Sequence, residues 1–394
     1  MVPSQPIQGN QIIAPRTTMP WLTTSGLGSL GRSTSLAALS LAVALLLAGC
    51  EPLITTFEDI EEADYYRAAS LAQAPEAPDT LKVVTWNIKF GGGGIDFWFD
   101  CWGDRVIMSE SEVAGNMERL VAKIRDLNPD ILLIQEVDVD SKRSNYMDQL
   151  QYILDHTDLN YAAYASHWKV QYVPSDGIGR VNNGNAILSR WPVADAERIA
   201  LDLRTDQSAL VRLFYVRRNI LKARVSIPGY DDSLYIVNIH AAAFSHDGTK
   251  LLHINRFITE LDALDSQGSV FIAGGDLNSI PPDTSSKQSD FSDSICEDEM
   301  WQADDYMEEV RDGWLVSLYQ DYHTAIPFEN FISDNAAYYT HTTQSDGPFN
   351  RKIDYLFANT EWVQGSGIVY NQDMGSGVTR LSDHVPISAR IVLP

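Results

Sequence analysis

The stretch Phe271–Ile280, Phe-Ile-Ala-Gly-Gly-Asp-Leu-Asn-Ser-Ile, constrains the fold more than any other part of the sequence. It opens with an apolar run typical of a buried strand, and two glycines then let the backbone turn or approach another group closely. Asp276 and Asn278 follow two residues apart, which places both side chains on the same side of an extended segment. A carboxylate and an amide in this position can orient a water molecule and hold an anionic oxygen. Taken alone, these residue types are also typical of a turn.

Apolar runs that end in a polar residue recur along the chain in the same way. If the strand ends gather at one edge of a sheet sandwich, these polar residues come together. A single Asn, Asp or His at a strand end is usually a turn or structural residue, but the recurrence within one chain indicates a common site. The candidates are Asn87, Glu136, Asn238, His240, Asp276, Asn278, Asp354, Asp383 and His384.

The composition fits a globular protein whose overall charge is unfavourable for binding phosphates. Hydrophobic residues make up 44% of the 394 residues, which is enough for a sizeable core. The formal net charge is −24 at pH 7, and so acidic a chain attracts polyanions poorly. If the chain acts on phosphates, a bound cation or a local basic patch must offset the repulsion.

The first 49 residues have the composition of an export signal. They contain no acidic residue, and Arg32 precedes an apolar run at 36–48 that is too short to span a bilayer comfortably. The run ends in Leu-Ala-Gly-Cys, which resembles the lipobox of bacterial lipoproteins, where cleavage precedes a cysteine that is then lipidated. We expect residues 1–49 to be a lipoprotein signal peptide and Cys50 to be the lipidation site. The alternative is an ordinary signal peptide followed by a chance cysteine.

The segment 50–80, rich in Ala, Glu and Pro, is predicted to be a flexible tether between the lipidated cysteine and one domain at 81–394. Export places the chain in an oxidising compartment, so Cys101 and Cys296 are candidates for a disulfide, and the sequence leaves their pairing open. The polar, acidic segment 283–313 is expected to be an insertion, and the four glycines at 91–94 a flexible loop.

Hydrophobic periodicity predicts both helices and strands within the domain. From Ser109 to Leu127 apolar residues recur every three or four positions, which predicts a helix capped by Ser109 or Ser111 and stopped by Asn128 and Pro129. Because helices and strands are interspersed without strict β-α-β alternation, we expect mixed sheets. Further helices are predicted at 147–154 and 250–264, and strands at 81–88, 131–134, 186–188, 220–227, 234–240, 351–358 and 385–392.

Seven short motifs span nearly the whole domain in a characteristic order. They are Thr-Trp-Asn-Ile (85–88), Gln-Glu-Val-Asp (135–138), Gly-Asn-Ala-Ile-Leu-Ser-Arg (184–190), Asn-Ile-His (238–240), Gly-Asp-Leu-Asn (275–278), Ile-Asp-Tyr-Leu-Phe (353–357) and Ser-Asp-His (382–384). In this order the chain resembles the endonuclease/exonuclease/phosphatase family. Its members are metal-dependent phosphoesterases that include DNase I, apurinic endonucleases, sphingomyelinases and inositol polyphosphate phosphatases.

The resemblance implies an α+β fold, a four-layer α/β/β/α sandwich in which two packed mixed β-sheets are flanked by helices. It also implies a divalent metal cofactor, Mg²⁺ or Mn²⁺, with Glu136 as the principal ligand, since a hard cation prefers carboxylate oxygen. By the same resemblance Asn87 would assist at the metal or position the phosphate, and Asp383 would lie at the edge of the metal site.

The resemblance assigns catalytic roles to five further residues. Asp276 would orient or deprotonate the attacking water, and Asn278 would donate hydrogen bonds to a phosphoryl oxygen in the transition state. His384 would contact the phosphate or transfer a proton, with Asp354 fixing its tautomer. His240 is a candidate acid for the leaving oxygen.

Four features bear on the substrate. Lys89 stands where apurinic endonucleases have an acidic residue, which weakens a role at abasic sites. Asn238 belongs to an Asn-Ile-His sequence where the family usually has Asn-Thr-His, and it is a candidate substrate-binding residue. Arg143 is a second candidate, which either contacts a substrate phosphate or is a solvated loop arginine. The aromatic residues at 97–99 and Trp102 either contact lipid or pack inward.

Together these features predict an extracytoplasmic, membrane-anchored, divalent-metal-dependent phosphoesterase that acts by in-line attack of an activated water on a phosphodiester or phosphomonoester. Its substrate would be a phospholipid headgroup, a nucleic acid or a small phosphoester. We expect a monomer held by its lipid on a bacterial membrane, on the periplasmic or outer-surface side. The alternatives are a nuclease-type enzyme or a non-catalytic surface-binding lipoprotein on the same scaffold.

Overall fold

The computed structural model describes residues 53–76, 78–100, 103–230, 234–243, 247–282, 312–342 and 345–393. The strands are β1 (Ile60–Glu62), β2 (Asp64–Arg67), β3 (Thr80–Asn87), β4 (Ile131–Asp138), β5 (Tyr161–Val173), β6 (Gly179–Ser189), β7 (Val193–Ala200), β8 (Asn219–Val225), β9 (Leu234–His240), β10 (Val270–Asp276), β11 (His323–Thr324), β12 (Asp354–Ala358), β13 (Ile368–Val369) and β14 (Ile387–Val392). The α-helices are α1 (Glu110–Leu127), α2 (Gln149–Asp155), α3 (Ala209–Phe214), α4 (Thr249–Ser266), α5 (Val316–Asp321), α6 (Phe328–Ser333) and α7 (Asn335–Tyr338).

The strands form two seven-stranded sheets. The first sheet has the order β13-β14-β3-β4-β6-β5-β2, and the second sheet has the order β1-β7-β8-β9-β10-β12-β11. Each sheet is mixed, because β3 runs parallel to β4 and β9 runs parallel to β10, whereas the other neighbours are antiparallel. The expectation of two mixed sheets is confirmed.

The central strands are buried on both faces, which explains their nearly continuous apolar sequences. On β3, Leu81 and Val83 belong to the core between the two sheets, whereas Val84 and Trp86 belong to the core beneath α1. On β10, Ile272 joins the core between the sheets, and the residues on either side of it pack with α4. The described residues therefore form the predicted sandwich of helix, sheet, sheet and helix.

Helix α1 forms where its apolar period predicts. Ser109 is the N-cap, and it exchanges hydrogen bonds with Glu112 in a capping box. Asn128 closes the helix in a left-handed conformation, and Pro129 follows. The apolar positions of α1 are buried against the first sheet.

The segment predicted to be a flexible tether is folded where the structure describes it. Strand β1 pairs antiparallel with β7 at the edge of the second sheet, and β2 pairs with β5 at the edge of the first. Ala63 and Ala68 are buried in the two cores. The Ala-rich composition predicted a flexible chain. The short side chains instead let this edge segment lie close to the sandwich.

The hairpin β5–β6 is much longer than the strand predicted at 186–188. Strand β6 contains Asn182, Asn183 and Asn185, a residue type depleted in strands. The amides are paired with distant segments: Asn183 Nδ2 donates to Asp138 Oδ1 (2.8 Å), and Asn185 Nδ2 donates to the carbonyl oxygen of Asn219 (3.3 Å). No local pattern reveals such partners.

The glycine-rich loop at 91–94 was predicted to be flexible, but it packs closely against another part of the backbone. A β-carbon on Gly94 would lie 1.6 Å from the carbonyl oxygen of Gly377, so the two backbones touch. In the aromatic segment that follows, Phe97 is buried with its ring centroid 4.8 Å from that of Phe90, whereas Trp98 is 44% exposed. Inward packing therefore describes Phe97, while Trp98 faces solvent.

Several predicted features lie outside the described residues. They are the signal peptide at 1–49, the lipidation site Cys50, the candidate disulfide residues Cys101 and Cys296, Trp102, and nearly all of the insertion at 283–313. Among the residues that are described, no helix has both the length and the apolar character needed to cross a bilayer.

We expect Gly274→Ala to lower the free energy of unfolding by at least about 2 kcal/mol, because the added β-carbon would lie 2.2 Å from the carbonyl oxygen of Tyr355 on β12. Gly115→Ala in α1 is the matched control. Its β-carbon has a nearest neighbour at 3.6 Å, so the same change should raise the free energy of unfolding by about 0.5–1 kcal/mol. Chemical denaturation followed by circular dichroism measures both, and equal stability of the two variants would contradict the close approach of β10 and β12.

Candidate active site

Strand register brings three candidate residues side by side at one edge of the second sheet. Asp276 is the last residue of β10, and parallel β9 places His240 beside it. Antiparallel β12 places Asp354 on the other side of Asp276. A β-carbon on either glycine at 274–275 would lie 2.0–2.2 Å from a neighbouring carbonyl oxygen, so glycine is required for the strands to approach this closely.

Asn87 and Glu136 reach the same place from the first sheet. Asn87 ends β3, and Glu136 lies in a bulge of β4 with φ of 60°. Asn87 Nδ2 is 3.3 Å from Glu136 Oε1 and 3.1 Å from Asp276 Oδ2. The ends of the two sheets therefore meet where one amide donates to two carboxylates.

The loop Ser382–His384 is tied to the end of β3. Ser382 Oγ donates to the carbonyl oxygen of Asn87 (2.8 Å), and Trp86 Nε1 donates to the carbonyl oxygen of His384 (3.1 Å). These bonds hold a segment from the C-terminal end of the chain at the meeting point of the two sheets.

His384 lies between two carboxylates. Its Nδ1 is 2.9 Å from Asp354 Oδ2, and its Nε2 is 3.6 Å from Asp276 Oδ2. Burial disfavours the charged imidazole, but Asp354 and Asp276 outweigh burial and raise the pKa of His384 to about 10. His384 is thus an imidazolium at neutral pH, with its orientation fixed by Asp354.

The pKa of Asp276 lies close to neutral pH. Burial raises the pKa of Asp276 to about 7, although the positive charge of His384 acts in the opposite direction. The backbone N–H of Asn278 donates to Asp276 Oδ1 (2.9 Å), which fixes the carboxylate. A fixed carboxylate with a pKa near the working pH is suited to take a proton from water.

His240 is neutral, which changes its predicted role. Burial and the nearby Arg218 hold the pKa of His240 well below its usual value. Its Nε2 is 3.3 Å from Asp276 Oδ2 and 3.8 Å from Glu136 Oε1, and within the described residues its Nδ1 has no hydrogen-bond partner. A neutral imidazole is a poor general acid, so His384 fits the role of proton donor better than His240.

The orientation of Asn87 does not support a metal-ligand role. Its Oδ1 accepts a hydrogen bond from the backbone N–H of Lys89 (3.0 Å), which leaves Nδ2 to face the carboxylates. A cation needs the oxygen of an amide. As placed, Asn87 is a hydrogen-bond donor that can position a carboxylate or a phosphate oxygen.

Asp383, the second residue assigned to the metal, is paired with an ammonium. Lys89 Nζ lies 3.6 Å from Asp383 Oδ2. The ligand atoms of His341, Asp383 and His384 lie within 4.8 Å of one another, a spacing that a cation could bridge. The positive charges of Lys89 and His384 oppose a cation there.

Asn238, predicted to bind substrate, links the two sheets instead. Its Oδ1 accepts a hydrogen bond from Gln135 Nε2 (2.7 Å), and its Nδ2 donates to the carbonyl oxygens of Ile134 and Ala186 (both 2.9 Å). Asn238 is fully buried. Its amide group is therefore used in joining β9 of the second sheet to β4 and β6 of the first.

Arg143 is buried and paired within the protein. It is buried, its Nε and Nη2 each lie 2.9 Å from a carboxylate oxygen of Asp138, and its guanidinium stacks 3.7 Å from the ring centroid of Phe90. It is therefore not a solvated loop arginine. Its contact with a substrate phosphate stays a prediction.

Arg218 is a charged residue that is not among the candidates predicted from the sequence. Burial lowers the pKa of Arg218, and the negative charges of Glu136 and Asp276 act in the opposite direction. In the described part of the chain its buried Nη1 has no hydrogen-bond partner. A signal was present: Arg218 precedes β8, which pairs antiparallel with β9, so it lies next to the strand end that carries His240.

The donor set fits a divalent cation at Glu136. The carboxylate of Glu136 is 24% exposed, and a positive-φ backbone, uncommon for a non-glycine residue, directs it into the cluster. Among the described residues it contacts the Asn87 amide and the neutral His240, not a lysine or arginine. Carboxylate oxygens such as those of Glu136 are the ligands that Mg²⁺ and Mn²⁺ prefer.

Sequence comparison identifies a family for most of the chain. A model described as the Endonuclease/Exonuclease/phosphatase family matches residues 84–384. No curated protein matches the chain significantly.

Several solved structures are similar to this chain at low sequence identity. An endonuclease/exonuclease/phosphatase from Beutenbergia cavernae DSM 12333 is 18% identical, with 80% of this chain and 72% of that chain covered and a TM-score of 0.51. Truncated Caenorhabditis elegans TDP2 is 17% identical (80% and 98% covered, TM-score 0.46), and the human nocturnin catalytic domain with bound sulfate is 14% identical (84% and 98% covered, TM-score 0.45). The first similarity supports the sandwich fold.

We expect Asn238→Ala to lower the free energy of unfolding by at least about 3 kcal/mol, because three buried partners lose their hydrogen bonds. Asn255→Ala on the exposed face of α4 is the control and should change stability by less than about 0.5 kcal/mol. Urea denaturation measures both. An Asn238→Ala protein of unchanged stability that needs more substrate for half-maximal rate would restore the substrate-binding role.

Proposed function

Because this chain belongs to the endonuclease/exonuclease/phosphatase family, whose members hydrolyse phosphate esters, we propose that its site is a divalent-metal-dependent phosphoesterase centre in which Asp276 activates the attacking water. The observation that carries this proposal is the convergence on Asp276 Oδ2. Asn87 Nδ2 lies 3.1 Å away, His240 Nε2 3.3 Å and His384 Nε2 3.6 Å. These three residues come from three separate segments of the chain, and together they surround a carboxylate that can accept a proton.

The site divides the reaction between a base and a proton donor. Asp276 takes a proton from the water as the water attacks in line with the leaving oxygen. The imidazolium of His384, held by Asp354, contacts the phosphate and supplies a proton to the leaving oxygen. A divalent cation held by Glu136 would offset phosphate charge and polarise a phosphoryl oxygen.

Three groups are placed to hold phosphoryl oxygens. Asn278 Nδ2 donates one hydrogen bond to the carbonyl oxygen of Ala241 (3.2 Å), which leaves its second N–H for substrate. Asn87 presents Nδ2 to the cluster, and Arg218 brings a positive charge. Such fixed donors stabilise charge that develops in the transition state.

The proposed substrates are a phospholipid headgroup, a nucleic acid and a small phosphoester. A panel of sphingomyelin, plasmid DNA, inositol phosphates and bis-p-nitrophenyl phosphate, each with Mg²⁺ or Mn²⁺, separates these classes. We expect hydrolysis of at least one substrate and its loss in EDTA. Absence of turnover on the whole panel would favour the alternative of a non-catalytic surface-binding protein on this scaffold.

We expect Asp276→Ala to lower the rate of hydrolysis at least about 100-fold, because no other group is proposed to take the proton from water. Asp126→Ala, at an exposed position of α1, is the control and should retain the wild-type rate. Hydrolysis by Asp276→Ala at the wild-type rate would remove Asp276 from the mechanism.

The same variant should not melt at a lower temperature than the wild type at pH 8. The folded pKa of Asp276, about 7, lies above that of the unfolded chain, so its ionisation costs stability progressively as the pH rises from about 4 to about 7. Removing the carboxyl group removes this cost. Thermal unfolding at pH 5 and pH 8 measures the difference, which should favour the variant more at pH 8.

We further propose that the chain is exported and held on a bacterial membrane by a lipid on Cys50. The support is the apolar run that ends in Leu-Ala-Gly-Cys, together with the folded domain that begins within ten residues of Cys50. A monomer is the proposed state.

We expect Cys50→Ser to release the chain from the membrane fraction, because a chain without the thiol cannot be lipidated at this position. Fractionation of cells followed by detection of the protein measures the shift. A serine variant that still sediments with membranes would contradict the lipid anchor, and it would leave the phosphoesterase proposal unaffected.

A further inference from the structure

Lys89 places a buried ammonium on the Asp383 side of the site. Its Nζ is 2.8 Å from Asp100 Oδ2 and 3.6 Å from Asp383 Oδ2, and it donates to the carbonyl oxygen of Ile95 (3.3 Å). Burial opposes the charge, but Asp383 and Asp100 outweigh burial and hold the pKa of Lys89 above its ordinary value. The ammonium is therefore charged, and two carboxylates share it.

The backbone of Lys89 controls the orientation of Asn87. The Lys89 N–H donates to Asn87 Oδ1 (3.0 Å), and Lys89 and Phe90 have positive φ values of 47° and 44°. Two successive non-glycine residues in this region are strained and persist where surrounding contacts hold them. The bond from Nζ to Asp100 supplies such a contact, so one residue connects Asp383 with the amide that faces Glu136 and Asp276.

A second basic group stands beside Asp383, and the space there is small. A cavity of about 10 Å³ is lined by Lys89, Asp383 and Arg380 among others, which is room for about one water molecule. Arg380 is 4% exposed, and its Nη2 donates to the carbonyl oxygen of Gly347 (2.7 Å). Within the described residues its Nε and Nη1 have no hydrogen-bond partner. With the Lys89 ammonium in place, a hydrated divalent cation would meet two positive charges in a space of about one water molecule.

We propose that Lys89 takes the place of a second metal ion: its ammonium neutralises Asp383, and the protein binds a single divalent cation, at Glu136. This inference rests on the metal dependence proposed above. It reassigns Asp383 from metal ligand to partner of Lys89. A fixed ammonium close to a bound cation would repel it strongly in a buried site, so the two cannot share Asp383.

Titration of the purified full chain with Mn²⁺ tests the proposal through the number of ions bound, measured by calorimetry and by electron paramagnetic resonance. We expect one ion per chain. Glu136→Gln should weaken its binding at least about tenfold, because a carboxylate ligand is lost. Asp383→Asn should leave both the number of ions and the affinity unchanged.

Lys89→Gln tests the proposal by removing the positive charge that is proposed to exclude a second ion. With the ammonium removed, Asp383 and Asp100 lose the positive charge that they share, and we expect a second Mn²⁺ to bind. Lys89→Arg keeps the charge and should bind one ion, and the double variant Lys89→Gln/Asp383→Asn should return to one ion. The comparison of wild type with Asp383→Asn does not depend on whether the Lys89 variants fold.

The outcomes separate this inference from the proposed function. Two ions in the wild type, one of which is lost in Asp383→Asn, would overturn the role of Lys89 and leave the phosphoesterase proposal standing. A wild type that binds no ion and hydrolyses esters in EDTA would overturn the single-ion proposal together with the metal dependence.

Discussion

The burial of the Asp276 carboxylate is the constraint on which the rest of the site depends. An ionisable carboxyl group withdrawn from water is unfavourable unless hydrogen bonds and charges compensate for the lost hydration. Here Asn87, His240 and His384 each bring a nitrogen within 3.6 Å of Oδ2. The compensation is incomplete, and the pKa of Asp276 stays near neutrality. A fully stabilised carboxylate would be a weaker base, so the residual cost of burial is what makes the group reactive.

The same buried carboxylate requires the two sheets to be held in a fixed relation, since its partners come from both. Asn87 belongs to the first sheet and His240 to the second, and a small slip would separate them. Asn238 prevents this with three hydrogen bonds that cross from the second sheet to the first. The glycines at 274–275 act within the second sheet, where they let β9, β10 and β12 approach until their last residues meet. Residues that never contact substrate thus determine whether the reacting groups meet.

The sequence predicted the positions of the site better than the states of its side chains. Strands are local patterns, so their polar ends could be assigned to one edge from the sequence alone, and register confirms that His240, Asp276 and Asp354 are neighbours. Protonation depends on groups far away in the chain, and His240 is neutral because of burial and Arg218. The prediction from composition was wrong for a related reason. Residues 60–67 were predicted to belong to a flexible tether, yet they pair with both sheets. This segment is held by pairing with strands β5 and β7, and its own sequence does not reveal these partners.

Charge balance supports the proposed cation at Glu136. The chain carries a net charge of −24, which would repel a phosphate at long range, but such repulsion is screened beyond about 10 Å in salt. Close to the site the protein supplies its own positive charges. Lys89 is matched by Asp100 and Asp383, and His384 by two further carboxylates. Glu136 remains: its carboxylate is partly exposed and meets an amide and a neutral imidazole. A phosphate that enters adds further negative charge beside this carboxylate, and a divalent ion between them would relieve both.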